Sequence, residues 1–154
     1  MAGHDRLTDE GKRFFAQIKE LEQLQVRVGF QAGEAAEKDG VDIANIAMWN
    51  EVGTSRAPSR PFLRMSVDEN ADKISKMCQA QVKRLAQGGT AQEILQALGA
   101  FQKGLVQAKI GDGAFEPNAP ATIRKKKSDH PLIDTGRMRQ SVSFVIKPKG
   151  EGDD

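Results

Sequence analysis

Two long stretches of helical apolar spacing, separated only by Gly88 and Gly89, constrain this chain more than any other feature. The first carries Leu63, Val67, Ala71, Ile74, Cys78, Val82 and Leu85, and the second carries Ile94, Leu98, Phe101, Leu105 and Ala108. Intervals of three and four set each group as one stripe along one side of a helix. Pro61 suits the first turn of a helix running to Ala86, because the N–H it lacks has no partner there in any case. Thr90 with Glu93 three residues on makes a capping-box pattern for the second helix. A Gly-Gly turn between two such helices predicts an antiparallel pair.

The remaining elements are shorter. Leu7, Phe14, Ile18 and Leu21, with Gly11 on the same face, predict an amphipathic first helix capped by Asp5 or Thr8. Val26, Val28 and Phe30 alternate with period two, as do Val142, Phe144 and Ile146, so one strand is expected early and one late. Asp42 is placed to cap a short helix carrying Ile43, Ile46, Ala47 and Trp49, and Gly53 to end it in a left-handed turn. The expected fold class is therefore α+β, a small antiparallel or mixed sheet packed against two long amphipathic helices, with an extended arm and loops. Residues 1–148 are expected to form one domain, and the polar residues 149–154 a disordered acidic tail.

Composition narrows the functional classes. There are 23 basic and 21 acidic residues, a formal net charge of +2, which is not the charge of a strongly basic nucleic-acid binder. No run of 18 apolar residues predicts a membrane span, and the polar first ten residues are unlike a secretory signal, so a cytoplasmic origin is expected. The lone Cys78 has no internal disulfide partner and lies on the apolar stripe, which predicts a buried structural cysteine. His4 and His130 have no nearby soft ligand, and the glycine pairs lack the lysine and hydroxyl of a phosphate loop, so neither metal nor nucleotide cofactor is expected.

Two chemistries compete with a purely structural role. Leu132, Ile133, Asp134, Thr135 and Gly136 resemble the active-site loop of aspartic proteases, in which two aspartates share a proton and activate water. Only 18 residues follow Gly136, too few for the strands that hold such a loop, and a helix cap accounts for Asp134 or Thr135 without catalysis. The basic run Arg124, Lys125, Lys126 and Lys127 suggests a module that binds nucleic acid non-specifically, through phosphates and counterion release. Further cations flank the prolines of the arm (Arg56, Pro58, Arg60, Pro61, Phe62, Arg64) and follow Gly136 (Arg137, Arg139). Proline fixes φ and biases its predecessor toward extended backbone, so residues 54–61 read as a stiff, exposed, cationic arm with a low entropic cost of docking.

The order of segments carries a resemblance. Val26 to Phe30 is followed by Trp49-Asn50-Glu51-Val52-Gly53-Thr54, which leads into Pro58-Ser59-Arg60-Pro61-Phe62-Leu63-Arg64; Pro117-Asn118-Ala119-Pro120-Ala121-Thr122-Ile123 comes next, and a late Pro131-Leu132-Ile133-Asp134-Thr135-Gly136-Arg137-Met138 turn feeds the last strand. This resembles the neck, tail-completion or head-tail joining proteins of tailed bacteriophages, over most of residues 20 to 146. The resemblance implies a non-enzymatic virion protein, assembled in the bacterial cytoplasm as a ring of six or twelve copies at the neck or upper tail. Its implied partners are further copies of itself, neighbouring connector and tail-tube or tail-terminator proteins, and exiting DNA met without sequence preference; no membrane and no cofactor are implied. Arg56, Pro58, Arg60, Pro61, Phe62 and Arg64, with Arg124 to Lys127, Arg137 and Arg139, are the residues expected to make those contacts.

Overall fold

The computed structural model describes residues 7–36, 40–112 and 136–150. Helix α1 (Asp9–Gln23) starts at Thr8, whose Oγ1 accepts the Gly11 N–H at 3.1 Å, with Asp9 and Glu10 favourably placed in the first turn. Gly11, Phe14, Gln17, Ile18 and Leu21 turn inward as the spacing requires, and the Gln17 amide oxygen accepts the Ala91 N–H at 2.8 Å. The chain passes directly into strand β1 (Leu24–Gly29).

Asp42 serves two segments at once. One carboxylate oxygen caps helix α2 (Ile43–Val52) by accepting the Ala44 N–H at 3.0 Å, and the other accepts the Gly33 N–H of the preceding loop at 2.8 Å. Gly53 ends α2 at φ 78° and ψ 170°, a conformation essentially confined to glycine. It is not the compact left-handed turn the sequence suggests. A Cβ there would also lie 2.7 Å from the Ser59 backbone nitrogen.

The single helix expected from Pro61 to Ala86 is two helices, α3 (Phe62–Asp68) and α4 (Ala71–Ala86). At the break the Asn70 side chain donates to the Ser66 carbonyl at 2.9 Å, and its backbone N–H closes a tight turn on Val67 at 3.1 Å. Asparagine competes locally for backbone partners, which favours an interruption at this point. Ile74, Met77, Gln81 and Leu85 face inward on α4, whereas Ala71, Cys78 and Val82 of the expected stripe are exposed. Cys78 is therefore a surface thiol and not the buried one its neighbours imply.

Helix α5 (Ala91–Gly111) is the axis of the molecule, 21 residues or about 32 Å long. Its capping box is complete: Thr90 Oγ1 accepts the Glu93 N–H at 3.2 Å and the Glu93 carboxylate accepts the Thr90 N–H at 3.3 Å. Elements pack on it from several sides, namely α1, α3, α4, both strands and a single turn of helix, α6 (Arg137–Gln140). Strand β2 (Ser143–Pro148) then pairs antiparallel with β1, placing Val26 opposite Ile146 and Val28 opposite Phe144. The fold is α+β with a two-stranded antiparallel sheet. Gly99 lets the sheet approach α5, since a Cβ there would overlap the Phe144 ring.

The buried side chains fall at the two ends of α5: Leu85, Ala91, Ile94 and Leu95 where α4 turns into α5, and a larger cluster at the far end. Ile43, Ala47, Phe62, Val106, Ile110, Met138 and Val142 form one buried cluster drawn from α2, α3, α5, α6 and the approach to β2.

Candidate interaction surface

The arm expected to project from the molecule is folded back onto α2. Thr54 and Ala57 form an isolated bridge, and Thr54 Oγ1 accepts the N–H groups of Arg56 and Ala57 at 3.2 and 3.1 Å. Past this turn the Ser59 hydroxyl donates to the Glu51 carbonyl at 2.7 Å and the Arg60 N–H to the Asn50 carbonyl at 2.6 Å. Pro61, at φ −78° and ψ 65°, makes an inverse γ-turn in which the Phe62 N–H donates to the Arg60 carbonyl. The Glu51 carboxylate then accepts the N–H groups of both Leu63 and Arg64, at 2.9 and 3.1 Å, and so caps α3 from 12 and 13 residues away. Two segments that are separate in sequence thus close on each other through Asn50 and Glu51.

This geometry corrects two of the expected contact residues. Phe62 is fully buried, edge-on to Phe30 with ring centroids 6.0 Å apart, and Arg60 is 4% exposed. Both support the fold from within and are not available to a neighbour. Pro58 and Pro61 are half-buried. Arg56 is exposed on the turn, and Arg64 is exposed on α3 with only a 3.7 Å contact to the equally exposed Asp68, a pair of little energetic weight. Arg137 donates to the Ala36 carbonyl at 2.7 Å and ties α6 to the loop before α2. The Arg139 guanidinium lies close over Gly111, while its backbone carbonyl accepts from Gln107 at 3.2 Å. Arg124 to Lys127 lie outside the described residues, as does Asp134.

A surface whose residues were not among the expected contacts lies on α2. Met48, Trp49 and Val52 are 53%, 44% and 67% exposed, and with Asn45 they occupy one helical face at spacings of three and four. The sequence signal was present in Ile43 to Val52, where apolar residues fall on every side of the helix between Asn45, Asn50 and Glu51. Ile43 and Ala47 turn into the core, so Met48 and Val52 must face away from it. This exposed apolar face and the exposed Arg56 turn are carried by α2 and the segment that clasps it.

A buried lysine ties elements together. Lys109, 7% exposed, reaches Glu69 at 2.9 Å and Asp112 at 3.1 Å, and so holds the α3–α4 junction to the end of α5. Burial pulls the ammonium toward its neutral form, but the hydrogen bonds and charges of Glu69 and Asp112 outweigh that and leave its pKa above the ordinary lysine value. Among the described residues no group of three or more His, Cys, Asp and Glu side chains is placed to hold a metal ion. No described helix is long and apolar enough to cross a membrane. Compared with protein-family models, curated proteins and solved structures, the chain matches none.

Proposed function

We propose that this chain is a structural component of a tailed-phage virion, acting at the neck or upper tail as an oligomeric ring that joins or completes head and tail. The observation that carries the reading is the clasp between Asn50-Glu51 and residues 59–64. The segments that carry the resemblance to neck and tail-completion proteins meet through four hydrogen bonds, of which the two from Leu63 and Arg64 converge on one carboxylate. A shared motif that builds a clasp has a structural purpose and needs no reaction to explain it.

The clasp also steadies the surface that the role requires. Trp49 and Val52 flank Asn50 and Glu51 on the same helix, so the apolar contact face is anchored by the motif itself. A contact made by Met48, Trp49 and Val52 would remove the exposed half of three large apolar side chains from water at about 1 kcal/mol each, before the cost of fixing two bodies together. Heterologous contacts of this kind close into rings when the rotation between copies allows it.

Electron microscopy of particles made by the source genome with this gene deleted tests the proposal. Separate filled heads and unattached tails are expected, with joining restored by the wild-type chain but not by Trp49→Glu. Complete, infectious particles without the chain would end this reading. Steep salt-dependent binding of free DNA, lost on neutralising Arg124 to Lys127, would favour the nucleic-acid module instead.

A further inference from the structure

Among the described residues none pairs with the outer edge of β1, which runs along an apolar groove. The ladder fixes which groups face that edge. Lys149 donates to the Gln23 carbonyl at 2.8 Å, so hydrogen-bonded pairs recur at Gln25, Arg27 and Gly29, and the backbone groups of Leu24, Val26 and Val28 point away from β2. The Leu24 N–H is taken up by the end of α1. The N–H and C=O groups of Val26 and Val28 have no hydrogen-bond partner among the described residues. Pro148 agrees with this register, because it sits opposite Leu24 at a position where the ladder asks for no donor.

The side chains of Val26 and Val28 form one wall of a groove of about 430 Å³. Leu98 and Phe101 of α5 line it as well, and Leu63, Val67, Ile74 and Cys78 of α3 and α4 stand on the other side. Among the described residues no charged side chain lines it. A row of unpaired backbone donors and acceptors beside an uncharged trough is the arrangement that strand addition uses: main-chain bonds supply affinity, and alternate side chains enter the trough.

The geometry points to this edge as a docking site for one extended strand of another protein, with uncharged apolar side chains at every second position. A further copy of this chain fits it poorly. A copy presenting its own β2 edge would bring its α5 along, a helix about 10 Å across, while α3 and α4 already occupy the far side. The inference is independent of ring formation, which rests on the opposite kind of surface, the convex face of α2.

The test is selection of short random peptides on the immobilised full chain, followed by binding of a fluorescein-labelled selected peptide in solution. Selected sequences are expected to alternate apolar and polar residues, and the bound peptide to slow amide exchange at Val26 and Val28. Affinity should fall roughly tenfold or more in Cys78→Arg, a substitution at an exposed position that spares the core. N-methylation of the peptide on the register facing β1 should do the same. The inference is overturned if no peptide is enriched, if the selected peptides show helical periodicity, or if Cys78→Arg leaves binding unchanged. It is equally overturned if Cys78→Arg abolishes self-association of the chain, because the groove would then belong to a second copy. A failure of peptide binding with the oligomer's mass unchanged leaves the ring proposal standing.

Discussion

At the scale of single residues, Glu51 and Lys109 hold pieces of chain that sequence separation would otherwise let drift. Glu51 satisfies two N–H groups at the start of α3, where proline and the γ-turn leave no local side-chain cap. Glu51→Ala is expected to lower stability by about 1–2 kcal/mol, read as a shift in the urea midpoint, with Glu51→Gln losing less because one acceptor remains. For Lys109 the sign follows from its raised pKa. The contribution of the charged form is fully present below the ordinary lysine value and fades as pH rises through the higher folded one. Lys109→Met should cost about 1–3 kcal/mol at neutral pH, the lower part of that range being set by the half-exposed state of Glu69 and Asp112. The gap between the two proteins, followed by urea unfolding against pH, should stay flat through neutrality and narrow only in strong alkali.

At the scale of elements, the sheet and α5 meet where Gly99 leaves room for Phe144. Gly99→Ala is expected to destabilise by about 1–3 kcal/mol despite its better helix propensity, and Phe144→Leu in the same chain should recover part of the loss in a double-mutant cycle. Much of this level was legible from spacing and caps. Thr8, Asp42 and Thr90 with Glu93 start the helices that they were expected to start, and the two alternating segments pair into the sheet. What was not legible depends on tertiary partners. The break at Glu69 and Asn70 answers to Ser66 and Lys109 and is absent from a periodicity argument, which slides over it and buries Cys78 and Val82, both of them exposed. In the candidate surface, Arg56 and Arg64 were read as exposed and are so, whereas Arg60 and Phe62 are drawn inward by the clasp that begins at Asn50. The exposed Trp49 was missed because a tryptophan in an apolar helix reads as core until the burial of Ile43 and Ala47 fixes the helix's orientation.

At the scale of the whole molecule, a nearly neutral chain presents an apolar face on α2 beside a cationic turn, and its ionisable cluster at Lys109 ties elements together. These features fit a protein whose work is done by contact. Such a surface is expected to associate through burial of apolar area, and so to persist at salt concentrations that screen Arg56 and Arg64. Native mass spectrometry of the 16.8 kDa chain, across a concentration series and with the virion proteins proposed as its neighbours added, tests the account most directly. Assemblies at six or twelve times the chain mass, reduced to single chains by Trp49→Glu without loss of folded structure, are the expected result. A chain that stays single at every concentration and with every neighbour would contradict it.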